Sequence, residues 1–414
     1  MTGFNFAGVI RASDVVAWPQ GPGEPTGLSA TLVAQRHELP PFALLLGLGA
    51  SRTVTRDHAD RITLRALNGA GSNRNWSDLA EIVPVPISQM PARLRSGALK
   101  VDVVLLRVRP SNQPGFYTTG VISDFTQALT ETARVVVAEL DERLPSTGGD
   151  ALIPMTAVDH LVPAFGADIL MPDPRPSEAD RAIARHVAAL IPNGGTIQLG
   201  IGTLPTAVAA ELHGHRDLGV HSGVVSDALV DLIERGVVTN ARKGIDDGIT
   251  ITGGLFGTER LRTHADCNPA IGMRASSYTH NPAILARIRA MYAINAAIEI
   301  DLTGQANSEL AAGRYLGAVG GQLDFVRGAQ ISPEGRSIMA LPSTTPDGKV
   351  SRIVSSLDGR PVTTPRSEMD IVVTEYGVAR LRGCGFHERA RQLLAIAHPK
   401  FRDALSAAVR QAAE

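Results

Sequence analysis

A chain of 414 residues with 44% hydrophobic and 20% charged side chains can build ordinary cores, and its length favours two domains over one. Its formal net charge of -1 argues against the basic face that nucleic-acid or membrane-surface partners select. Aromatics at 4% leave little stacking surface for bases. The two cysteines, Cys267 and Cys384, provide neither a disulfide framework nor a zinc spacing, so no metal site is expected. The start of the chain, Met1 to Val16, has no basic segment followed by a long apolar run, and no stretch approaches a membrane span. A cytoplasmic protein with reduced thiols is the expectation.

Gly21 to Thr26 is a glycine–proline turn that precedes a helical apolar pattern, Leu28 to Val33. The runs Val101–Val108, Arg134–Leu140 and Asp370–Thr374 read as buried strands of a parallel sheet. Between the first two lies Gly120-Val-Ile-Ser-Asp-Phe. Gly166 to Ser177 is rich in Pro, Gly and Asp and reads as a linker. It ends at Ser177, a helix cap with acidic residues in the following turn, so Pro176–Leu190 reads as a helix. The expected units are residues 1–170 and 177–414.

In the second unit, Thr196–Leu199 reads as a strand that runs into Gly200-Ile201-Gly202-Thr203-Leu204 and then a helix. Thr203 can cap that helix, and Pro205 suits its first turn. Glycines let a ligand approach the backbone, and free amides at a helix start favour anionic or carbonyl oxygens. A tight turn without a ligand fits the same residues. Ala283–Met291 reads as a helix. Ala293–Ser308 reads as one strand with Asn295, Glu299 and Asp301 on one face. Those groups need partners or water; they are either site residues or a polar network bracing the Gly304 turn. Gly320-Gly321-Gln-Leu-Asp-Phe offers uncovered amides, the material of an oxyanion hole, while Asp324 can hold the loop by accepting amides. Its Gly-to-Asp-Phe spacing repeats that of Gly120–Phe125. With the echo of Gly21–Thr26 in Gly200–Thr206, this suggests a duplicated α/β unit.

Taken together, these segments resemble the acetyl-CoA hydrolase/transferase family, over nearly the whole chain and most strongly from Gly194 to Leu405. The carrying pieces are Gly200–Pro205, Asn295–Ser308, Gly320–Ala329, Gly348–Val354, Val372–Gly383 and Ala397–Arg402. The resemblance implies two open α/β domains of the CoA-transferase type with a site between them. It implies acyl-CoA and possibly a carboxylate acceptor as partners, no covalently bound cofactor but coenzyme A or acyl-CoA as substrate, and commonly an oligomer. The implied chemistry is ping-pong, with a glutamate carboxylate attacking the thioester. The implied CoA contacts are Gly200, Ile201, Gly202, Thr203 and Leu204, with Gly320 at the oxyanion and Gly321 beside it among the CoA-binding residues. Asn281 falls where a family asparagine meets the reacting group, and Lys349 could meet a CoA phosphate.

One departure stands out. The family's nucleophile follows the CoA loop in a segment that here reads Leu218-Gly-Val-His-Ser-Gly-Val-Val-Ser-Asp. His221 and Asp227 keep their places, but the glutamate position is Gly223, and no Glu lies between Glu211 and Glu234. A glutamyl-CoA at this position is then excluded. Water or the acceptor itself could attack instead, a carbon–carbon bond could be the target, or the chain could bind acyl-CoA without turnover. Room freed at Gly223 could admit a bulkier acyl group or a water. His221, Glu299 and Glu375 are the candidate bases, each with a structural alternative. Ser222 needs a neighbouring base to act.

Overall fold

The computed structural model describes residues 4–411. It contains two large sheets, one from each half. In the first, the parallel strands run Glu81–Ile82, Ile62–Ala66, Phe42–Leu46, Val15–Trp18, Val103–Pro110, Val135–Leu140 and His160–Pro163, with two short antiparallel strands beside Val103–Pro110. In the second they run Ile271–Met273, Thr250–Thr252, Gly219–Ser222, Thr196–Gln198, Met291–Ala296, Arg336–Ala340 and Ile371–Thr374, closed by the antiparallel strand Gly377–Arg380. Numbered within its own half, each parallel set has the order 4-3-2-1-5-6-7. This shared order agrees with the duplication read from the glycine turns.

Parallel strands carry apolar residues on both faces because helices cover both. In the second half Ile197, Val220, Ile294, Ile338 and Val373 join the helix Glu178–Ala188 through Ile183 and Val187. Met291 and Ala293 point the other way, onto Phe325 and Ala329 of the helix Gln322–Ile331. Each large apolar side chain so buried contributes about 2 kcal/mol.

Two expected elements are shorter than their patterns suggest. The helix after Asn281 spans only Pro282–Leu285. The chain must then enter the sheet, where the Thr196 amide takes the Ala290 carbonyl and Met291 begins a strand. The strand expected across Ala293–Ser308 breaks after Ala296. Glu299–Asp301 belongs instead to a small sheet with Ala306–Asn307 and Ile353–Val354. Asn295 and Glu299 therefore share a parity in sequence and not a face in space.

The proline-rich stretch before Ser177 is well tied down. Asp168 joins Arg107 of the first half (2.6 Å) to Arg262 of the second, and the Met171 amide meets the Gly257 carbonyl. The sheets meet where loops at their strand ends face each other. Ser123 and Asp124 donate backbone bonds to Gly253, Ile87 to Gly320, and Gly69 to Gly317. Asp324 accepts from the Ser88 amide (3.2 Å) and hydroxyl (2.7 Å). No described helix is long and apolar enough to cross a membrane.

Candidate active site

Open α/β sheets gather ligands beyond the carboxyl ends of their strands, where the strand order reverses. The reversal in the second half lies between Thr196–Gln198 and Met291–Ala296. A cavity of about 190 Å³ opens there against the first half. Gly200, Gly223, Asn295, His280, Gly321 and Phe325 line it from the second half; Gln20, Ile87, Ile122 and Asp124 line it from the first.

Local rules place each of these groups. Gly202 has φ +122°, a conformation side-chain-bearing residues rarely adopt, and it starts the helix Thr203–Glu211. A Cβ on Gly200 or Gly202 would meet nothing within 4 Å, so this turn borders open space. Thr203 and Leu204 line a larger cleft of about 540 Å³ with Ala296, Ala297, Thr345, Arg352 and Glu375. Ile201 is exposed. Gly320 has φ +56°, and its carbonyl accepts from Ile87.

Gly223 and Gly321 are glycines for want of room. A Cβ on Gly223 would lie 2.6 Å from His280 Cε1, and a Cβ on Gly321 would lie 2.1 Å from His280 Cδ2. The His280 ring therefore takes the place a side chain on Gly223 would occupy, while Gly223 still lines the cavity.

Other sequence candidates lie apart from the cavity. His221 is fully buried, stacked 5.9 Å from Tyr278, with neither ring nitrogen partnered among the described residues. Burial, assisted by the Lys243 charge, pushes its pKa down to about 3, so it is neutral. Asn281 caps the short helix after it by accepting the Ala283 amide (2.9 Å). The Glu299 carboxylate is occupied by Asn307 (2.7 Å) and Arg360 (2.8 Å). Glu375 accepts from the Ser343 amide and hydroxyl, and Ser222 donates to the Leu199 carbonyl. The Lys349 ammonium is exposed, 4.0 Å from Asp347, near Thr345 and Arg352 in sequence but outside the cleft wall.

Sequence reasoning passed over two cavity groups. Asp124 is buried, with Gln20 Nε2 at 3.0 Å and the Thr126 hydroxyl at 3.1 Å. Burial raises its pKa to about 6, against the hydrogen bonds that stabilise its anion. His280 is buried, and burial pushes its pKa down to about 3. The only sequence signal for His280 was its place beside Asn281; Asp124 was visible as half of a repeated motif.

The two-sheet architecture with a cavity at the strand reversal defines a CoA-transferase-type protein. The acetyl-CoA hydrolase/transferase C-terminal domain matches residues 257–409. The 4-hydroxybutyrate coenzyme A transferase of Clostridium kluyveri is 35% identical over 94% of this chain and 92% of its own. The butyryl-CoA:acetate CoA-transferase of Anaerostipes caccae is 34% identical over 96% and 92%. RipA from Yersinia pestis superposes with a TM-score of 0.91 at 32% identity, covering 97% of this chain and 95% of that one. The 4-hydroxybutyrate CoA-transferase of Porphyromonas gingivalis gives 0.83 at 32%, covering 97% and 94%. The chain belongs to the acetyl-CoA hydrolase/transferase family.

Proposed function

We propose that this protein processes acyl-CoA thioesters, by hydrolysis or by transfer to a carboxylate acceptor, without a glutamyl-CoA intermediate at residue 223. The observation that carries this reading is Gly223 itself. It lines the cavity between the halves, beside Gly200 and Gly321, and brings no carboxylate to it. In this reading the Gly200–Leu204 turn and its cleft hold CoA, and the exposed Lys349 meets a phosphate. The amides of Gly320 and Gly321, which have no hydrogen-bond partner among the described residues, receive the thioester oxygen. Such preorganised donors support turnover without a covalent nucleophile.

The test is to follow free thiol from a panel of acyl-CoAs with and without carboxylate acceptors. Release without an acceptor supports hydrolysis, and release only with one supports transfer. Binding of CoA with no acyl-CoA consumed would leave a binding protein, and consumption that cleaves the acyl chain would place the reaction at a carbon–carbon bond. Hydroxylamine or borohydride should trap no glutamyl adduct; a CoA adduct on any Glu would overturn the reading of Gly223.

A further inference from the structure

His280 stands in the room that two glycines leave. Its Nε2 lies 2.7 Å from the place of a Cβ on Gly223 and 2.4 Å from that of a Cβ on Gly321. The Phe325 ring packs at 4.8 Å from the imidazole, centroid to centroid. The residue is only 8% exposed, yet it lines the cavity. Nδ1 is engaged by the Thr279 hydroxyl at 2.8 Å, and among the described residues Nε2 has no partner. The Thr279 hydroxyl also faces the Ala275 carbonyl, at 3.4 Å. If its single proton goes there, it accepts from Nδ1–H, and the Nε2 lone pair is left toward the cavity. His280 lines the cavity, and an unpartnered acceptor nitrogen open to it can take a hydrogen bond from a polar group that enters.

We propose that His280 is the proton-transferring catalytic residue of this site and activates the water that hydrolyses an acyl-CoA. This assignment rests on the thioester-processing reading above. The water oxygen bonds to the thioester carbon while one water proton passes to Nε2. The carbonyl oxygen gains charge at the glycine amides. The tetrahedral adduct then collapses, the carbon–sulfur bond breaks, and the thiolate takes the proton back from Nε2. Acyl-CoA and water become carboxylic acid and CoA thiol, and the imidazole is restored. The imidazolium is disfavoured by burial and so holds the proton only briefly. The Asp124 carboxylate lines the same cavity. Gly223 and His280 form one arrangement: a side chain at 223 and this ring cannot share the space.

The experiment compares wild type, H280A and H280Q for thiol release from the acyl-CoA panel, with thermal unfolding as the folding check and free imidazole added to H280A. Both variants should lose about 10³-fold in kcat with KM little changed, and imidazole should restore part of the H280A rate. H280Q fills the site and keeps the result readable if H280A unfolds. Release that survives in either folded variant overturns the assignment of His280 alone. Release that requires a carboxylate acceptor overturns the water-activating role. No consumption of any acyl-CoA by wild type overturns the functional reading and this assignment together.

Discussion

The two halves carry the same Gly-x-x-x-Asp-Phe phrase at the same point of the fold, between the fifth and sixth parallel strands, where a helix starts just after the phrase in the first half and within it, at Gln322, in the second. Both glycines take a left-handed conformation, Gly120 at φ +65° and Gly320 at φ +56°. Both aspartates are buried, and burial raises both pKa values. Their partners differ. Asp124 lines the cavity and is steadied by Gln20 of its own half. Asp324 grips Ser88 across the interface. The shared strand order puts one motif at the meeting of the sheets twice, and the surroundings give one copy to the cavity and the other to the clamp.

The sharpest break of this comparison lies at the glycine facing His280. G223E should abolish thiol release, because its side chain meets the His280 ring. In the double variant G223E/H280A the ring is gone, and a glutamyl-CoA thioester should become trappable by hydroxylamine. A trapped adduct in the single variant would show that the ring moves aside freely. Next, D124N should lower kcat by roughly 10²- to 10³-fold without lowering the unfolding temperature, since it removes a carboxylate that burial disfavours. A D124N rate equal to wild type would take Asp124 out of the site.

A smaller effect concerns a buried carboxyl in the first half only. Glu139 accepts the Leu28 amide on the sixth strand, while its counterpart strand Arg336–Ala340 has no acidic residue. Burial raises the Glu139 pKa to about 7, opposed by the Leu28 bond and Arg107. A folded pKa above the unfolded one means stability that is full below about pH 4.5 and lost as pH rises through 7. E139Q should remove that loss, gaining about 3 kcal/mol over wild type between pH 5 and pH 8. Urea midpoints at the two pH values measure it, and parallel pH profiles would refute it. Last, D324N should cost about 1–2 kcal/mol of stability through the weakened Ser88 clamp, with a smaller loss of turnover than D124N. The reverse order of the two variants in the thiol assay would invert the roles assigned to the aspartates.

Much of the architecture is legible in the sequence. Apolar runs such as Val101–Val108 read as buried strands, and that one forms Val103–Pro110; the Ser177 cap with its acidic first turn set the start of a helix that forms at Glu178. Both follow from local chemistry and periodicity. The turn at Gly200–Leu204 was legible for the same reason: Gly202 adopts a backbone that few other residues tolerate.

The sites of polar side chains were not legible in that way. Period-two counting put Asn295 and Glu299 on one face, but the chain leaves the main sheet after Ala296, and only Asn295 reaches the cavity. His221 sits beside Gly223 in sequence yet turns into the core against Tyr278. His280 lies 57 residues from Gly223 in the numbering and fills the space next to it. By itself the sequence determined many of the elements, the paired glycine phrases and the absence of a carboxylate at 223, because these depend on neighbours along the chain. Only the tertiary structure decided what stands in that carboxylate's place, because the packing of three distant loops around Gly223, Gly321 and His280 leaves space for one side chain and brings the imidazole into it.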